Sequence, residues 1–191
     1  HRMDFLLWRE IDSSVDFAVS DVYLYQSEPD NAYFIGENID RNVTNSTRLS
    51  GKPVYAYVWM RYFNTEWKLA TDEVSAEDAE LLGIVPFFYG AKAIVLWGYE
   101  PNLRGDAPYA NLPSFAASLG RVARLSSKIA EAKPLTGTPA FLAWQAQQPL
   151  LRQLITAPGE CVVMAVNPWQ DDTELSNADV ACSGTTVKLA M

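Results

Sequence analysis

Histidine is nearly missing from this chain: the only one, His1, is the first residue. That excludes a histidine-based nucleophilic triad. With one His and two distant cysteines, Cys161 and Cys182, no transition-metal site is suggested either. No glycine-rich phosphate loop occurs, and nothing in the chain implies a cofactor. Basic residues are outnumbered, 15 Lys and Arg against 23 Asp and Glu, for a net charge of −8. That balance argues against nucleic acid or an anionic membrane surface as a partner. No apolar run approaches the ~20 residues of a membrane-spanning helix. There is no short fixed repeat and no low-complexity tract.

What remains is ordinary for a globular protein: 191 residues, 49% hydrophobic and 20% charged. The length suits one good-sized domain, or one domain with a small appendage. Aromatic residues are plentiful at 12%, with six Trp and nine Tyr. Such rings fill cores, and they also serve as stacking platforms in sugar-binding clefts. Cys161 and Cys182 are either two free core thiols or one disulfide of a secreted protein. The sequence predicts that they come close enough to bridge. Asn42-Val43-Thr44 and Asn45-Ser46-Thr47 are glycosylation sequons, a weak pointer to secretion. The opening His1-Arg2-Met3 reads as a cut end.

The chain is organised around residues 52–100. Pro53 to Arg61 and Ala93 to Trp97 read as buried parallel strands with a helix between them, a βαβ unit. In the first strand Tyr55, Tyr57, Trp59 and Arg61 point one way, and Val54, Ala56, Val58 and Met60 the other. Val15 to Tyr25 reads as an earlier strand. A helix follows, started at Asp30 or Asn31, with Ile35, Ile39 and Val43 at intervals of four and an end at Ser50-Gly51. Ser75-Ala76-Glu77-Asp78 resembles a capping box and opens a further helix, expected to kink or stop near Val85 because of Gly83 and Pro86. Phe115, Leu119, Val122, Leu125 and Ile129 predict one helix over 113–132. Beyond Pro134 the period changes to two. Residues 140–147, 150–155, 161–167 and 185–189 read as short strands of one small antiparallel sheet.

The parallel strands carry a resemblance. Asp21-Val22-Tyr23, Pro53-Val54-Tyr55-Ala56-Tyr57 and Ala93-Ile94-Val95-Leu96-Trp97-Gly98 resemble, in order, three strand motifs of the hyaluronidase family of glycoside hydrolases. The resemblance covers about residues 15–132. It implies an α/β fold, the C-terminal part of a TIM-type (β/α) barrel over residues 1–135; the change of period after Pro134 adds a small antiparallel β domain over 136–191. It implies that Tyr23, Tyr57 and Trp97 line a sugar cleft, the tyrosines near a substrate N-acetyl group and the tryptophan beneath the sugar. Trp59 stands where that family has arginine. The family's general acid, a Glu in an Asp-x-Glu motif on an earlier strand, has no counterpart among the matched motifs. Asp78-Ala79-Glu80 and Asp172-Thr173-Glu174 have that spacing but read as solvated charges on a helix and in a loop.

Glycoside hydrolysis needs two carboxylates, or one carboxylate and a substrate acetamide. The strand-end candidates are Asp21 and Glu100, with Tyr23, Tyr57, Trp59, Trp97 and Tyr99 as substrate-binding residues. Each acid also has a plainer reading: Asp21 as a partner of strand-end backbone, Glu100 as a loop cap or a partner of Arg104. Two functions follow. One is part of a secreted glycoside hydrolase acting on a polysaccharide or oligosaccharide of the N-acetylhexosamine-containing, hyaluronidase-like kind. The other is a non-catalytic carbohydrate-binding protein on a barrel remnant. A barrel of this type has about eight strands, so the missing ones are expected from an N-terminal half-barrel segment or a second chain. The apolar strands lead one to expect a sheet covered on both faces.

Overall fold

Three parallel strands carry the aromatic motifs. The computed structural model describes residues 5–25, 30–63, 72–98, 109–134, 138–169, 177–182 and 185–190. Strands β1 (Ala18–Val22), β2 (Val54–Trp59) and β3 (Ala93–Trp97) lie side by side in that order. The register sets Asp21 opposite Tyr57 and Tyr57 opposite Val95, and Trp59 opposite Trp97. Helix α1 (Phe5–Ile11) precedes β1, and α2 (Asn31–Leu49) and α3 (Ala76–Phe88) are the crossovers between strands. After β3 come α4 (Leu112–Ala123) and α5 (Ser126–Glu131).

The helices cover one face of the sheet. Val22, Ala56 and Val58 from the strands share a core with Ile35 and Ile39 of α2 and Leu82 and Val85 of α3. Burying each of those larger side chains contributes about 1.5–3 kcal/mol. The i, i+4 spacing of Ile35 and Ile39 is the one that stacks side chains on one helical face. Gly51, at φ 69°, ends the segment after α2, its N–H donating to Ser46 O at 2.8 Å.

The opposite face is open in this chain, and it is the face that an N-terminal segment or second chain was expected to cover. Phe17, Val19, Val95 and Trp97 are exposed, and β1 and β3 each have one strand neighbour among the described residues. Among the described residues the sheet is not a closed barrel: it is a three-stranded parallel sheet with helices on one side. Alternation explains how apolar strands can leave a face bare. The small and branched residues Ala18, Val54, Ala56 and Val58 turn inward, and the rings turn out.

Several elements differ from expectation. Helix α3 runs through Pro86 to Phe88. The proline stands in the last turn, so it forfeits the one helical hydrogen bond to Leu82 O with little helix left beyond it to disturb, and its carbonyl accepts from Ala91 N–H at 3.0 Å. The expected helix 113–132 is two helices, parted at Arg124 and Leu125. Residues 140–147 are not a strand: α6 (Ala140–Gln145) is helical, with Ala143 N–H donating to Pro139 O at 3.0 Å. Ala, Leu and Gln are good helix formers, and Ala140 and Ala143 turn inward three residues apart.

Two antiparallel sheets follow in place of one. The first has the order β4 (Lys133–Pro134), β5 (Leu150–Ala157), β6 (Glu160–Val166), and the second pairs β7 (Asn177–Cys182) with β8 (Thr185–Ala190). Cys161 and Cys182 form a disulfide, Cα–Cα 5.8 Å, which joins β6 to β7 across the two sheets. Leu150, Leu154 and Met164 belong to the same core as the parallel sheet. Arg152 adds a polar tie: its guanidinium lies 4.6 Å from the Tyr89 ring centre, and Nη2 donates to Asp40 Oδ1 at 3.2 Å.

Candidate functional site: an aromatic cluster at the strand ends

The residues whose side chains share the open face stand in rows, because a parallel register repeats the same parity on each strand. Val19, Tyr55 and Ala93 form one row, and Asp21, Tyr57 and Val95 the next. At the carboxyl ends stand Trp59 and Trp97, beside Tyr23, the residue that follows β1. Carboxyl ends of parallel strands are where α/β folds place their sites.

The rings at this end touch one another. Tyr23 lies 6.4 Å from Tyr57, 6.2 Å from Trp59 and 5.8 Å from Trp97, centre to centre. Tyr57 and Trp97 are 6.0 Å apart, and Trp59 and Trp97 5.0 Å. These spacings lie in the range of favourable aromatic pairs. Trp59 is buried at the base, whereas Trp97 is 42% exposed, so its indole is a platform open to solvent. Gly98 follows at φ 68°, a conformation suited to glycine, and lies beside the Trp59 ring.

Asp21 is exposed on the same face. Burial raises the pKa of the Tyr23 phenol, the Asp21 carboxylate adds to the rise and Tyr57 adds further. Tyr23 therefore stays a neutral hydrogen-bond donor at ordinary pH. The structure brings Tyr23, Tyr57, Trp59 and Trp97 together with Asp21 on one surface. Tyr99 and Glu100 lie outside the described residues, as do Asp172 and Glu174.

Behind the cluster is a buried polar network that the sequence did not foretell. Tyr62 OH donates to Asp78 Oδ2 at 2.6 Å and accepts from Ser75 N–H at 2.9 Å. Asn31 Nδ2 donates to the same Asp78 oxygen at 3.0 Å and to Tyr25 O at 3.2 Å. Ser75 Oγ accepts from Asp78 N–H, so Ser75 caps α3 as expected. Asp78 itself is not the solvated charge its spacing suggested. It is buried, and its carboxyl pKa is raised by desolvation, against the opposing effect of the Tyr62 and Asn31 hydrogen bonds. The network ties the carboxyl ends of two strands to the amino ends of α2 and α3. Glu80, two residues on, is solvated and pairs with Arg121 at 2.7 Å.

The sequon asparagines lend no weight to secretion. Asn42 accepts from Trp8 Nε1 at 3.0 Å and donates to Ser20 Oγ at 2.8 Å, and Asn45 is buried in α2. Among the described residues no helix is long and apolar enough to cross a membrane, and no group of three metal-ligating side chains occurs.

No protein-family model matches the chain. No curated protein sequence matches it either. Among solved structures, it is similar to bee venom hyaluronidase in a monoclinic crystal form, with a TM-score of 0.42 and 18% identity over 64% of this chain. It is also similar to bee venom hyaluronidase in complex with a hyaluronic acid tetramer, with a TM-score of 0.41, 18% identity and 64% coverage. The chain spans 38% and 37% of those two chains. A likeness at this level is distant and assigns neither a residue role nor a substrate.

Proposed function

We propose that this chain is part of a glycoside hydrolase acting on a polysaccharide that contains N-acetylhexosamine, and that the aromatic cluster is its sugar-binding surface. The observation that carries the reading is the convergence of Tyr23, Tyr57 and the exposed Trp97 beside Asp21 at one strand end. An indole face stacks on the apolar face of a pyranose, and a neutral phenol hydrogen-bonds an acetamide. Asp21 and Glu100 are the proposed catalytic carboxylates, with Tyr99 a further contact. The remaining barrel strands come from an N-terminal segment or a second chain, which would cover Phe17, Val19 and Val95 and leave the strand ends open. The disulfide is in keeping with a secreted protein, since such bonds persist in oxidising compartments.

One observation favours the non-catalytic, carbohydrate-binding reading. Asp21 is the one carboxylate on β1, β2 and β3, and hydrolysis requires a second acid or a substrate acetamide. The two readings part in one experiment. Binding of N-acetylglucosamine and hyaluronan oligomers is measured by calorimetry, and hydrolysis by release of reducing ends. Trp97→Ala is expected to weaken binding roughly tenfold or less, the range of one stacked ring, with the circular dichroism spectrum unchanged. Asp21→Asn is expected to spare binding and lower hydrolysis. Hydrolysis is expected only with the remaining barrel strands supplied; binding without hydrolysis in that complete form selects the carbohydrate-binding protein, and no binding by any oligomer removes both.

A further inference from the structure

The strand-end cluster continues beyond the sheet. Tyr23 is stacked on Phe63 at 5.9 Å, Phe63 meets Tyr25 at 6.1 Å, and Tyr25 meets Phe34 of α2 at 6.1 Å. Each of these rings is at least partly open to solvent. The line ends at a separate cavity of 360 Å³ between α2 and α6, lined by Phe34, Phe141 and Trp144 together with Glu37, Asn38 and Arg41. That volume is at the small end for ligand pockets.

Phe141 and Trp144 are 46% and 36% exposed, and their rings are 5.7 Å apart. Helix α6 is anchored from its other side by buried Ala140 and Ala143. Two large rings facing water are therefore held in place by two small residues. Glu37 and Arg41 form an ion pair one helical turn apart, which neutralises both charges and still leaves oxygen and N–H groups at the rim. Asp30 also lines the cavity and adds one carboxylate beyond the Glu37–Arg41 pair. Apolar ring faces beside hydrogen-bonding groups match a neutral ring that is apolar on one face and hydroxylated at its edge, whose hydroxyls can donate to that carboxylate. The excess negative charge does not match a free anion.

We propose that this cavity is a second, distal sugar subsite, which takes a neutral pyranose unit of the same glycan chain that lies on the strand-end cluster. The line of rings through Phe63, Tyr25 and Phe34 is the path between the two. The inference rests on the sugar-binding reading of the strand ends and adds to it a preference for long chains. A short oligomer reaches only the strand-end cluster, while a long one engages both sites and gains from the second as an intramolecular event.

The test uses the full chain and N-acetylglucosamine oligomers of two lengths, a disaccharide and a decasaccharide. Phe141 and Trp144 are surface rings, so Phe141→Ala and Trp144→Ala should leave the fold intact. Each is expected to lower decasaccharide affinity roughly two- to tenfold, the range of a stacked ring, and to leave disaccharide affinity unchanged. Trp97→Ala is expected to weaken both. Hydroxyl-radical footprinting should show Phe141 and Trp144 protected by the decasaccharide and not by the disaccharide. Unchanged decasaccharide affinity in both variants, with Trp97→Ala still weakening it, would overturn the distal subsite and leave the strand-end reading standing. If neither oligomer binds the unaltered protein, both readings fall.

Discussion

Asp78 is buried with both its donors on other elements, Tyr62 and Asn31. Desolvation raises its pKa, so the folded state holds this proton more tightly than the unfolded chain does. The sign follows from linkage: where the folded state binds more protons, stability falls as pH rises. The contribution is therefore greatest below the unfolded carboxylate value of about 3.9 and is lost as pH climbs through the raised folded value. Asp78→Asn removes the titration and keeps one acceptor oxygen. Urea midpoints measured from acid to neutral pH should shift in favour of the variant as pH rises through that window; parallel curves for the two proteins would show that Asp78 does not titrate differently on folding. This residue was not legible in the sequence. Its partners are 16 and 47 positions away, and an Asp-x-Glu on a helix has the same pattern whether solvated or buried. That Tyr23, Tyr57 and Trp97 meet was expected from the strand-end position of three motifs, and their rings lie 5.8–6.4 Å apart; alternation, a local property, separates the two faces of β2.

Gly83 shows how two helices of the same face approach each other. A Cβ built at this position of α3 would stand 1.8 Å from Ser118 Oγ and 3.2 Å from Phe115 O, both on α4. Alanine is ordinarily the better helix former by about 1 kcal/mol, yet here it must push α4 away. Gly83→Ala is expected to destabilise by about 1–3 kcal/mol, the usual range for overpacking. Adding Ser118→Ala removes the nearest obstacle, so the double variant should be more stable than the sum of the single changes predicts, as thermal unfolding of all four proteins would show. Additive effects would mean that the contact is relieved elsewhere. Gly83 and Pro86 signal a kink or an end near Val85, and the helix ends at Phe88; the packing against Ser118 is the further reason for a glycine there. Residues 140–147, expected as a strand, are helical: a short apolar stretch does not distinguish strand from helix by period alone. Strands β1, β2, β3, β5, β6 and β8, and helix α2, were legible from their apolar patterns, while β4 and β7 were not.

The whole molecule joins a half-covered parallel sheet to two antiparallel sheets, and the two joints differ in kind. The sheet β4–β6 shares the main core and adds the Arg152 stack on Tyr89. The β7–β8 pair is a two-stranded sheet by itself. Isolated two-stranded hairpins are marginally stable in water. Its covalent tie is the disulfide from Cys182 to Cys161 of β6, at a sequence separation of 21. A bridge closing a loop of that order stabilises by about 3 kcal/mol through the unfolded chain. The bridge was expected from the sequence, but its place between sheets was not, because β7 was not read as a strand: its alternating set, Ala178, Val180 and Cys182, is short and of small residues. If the hairpin depends on this tie, loss should be local. Hydrogen exchange of the Cys161→Ser, Cys182→Ser protein should show β7 and β8 amides losing protection, while β2, central in the parallel sheet, keeps most of its own. An equal loss across all strands would instead make the disulfide a global clamp, with the hairpin packed as firmly as the rest. A change confined to β7 and β8 would mark the hairpin as the unit of lowest stability, the first to open on reduction.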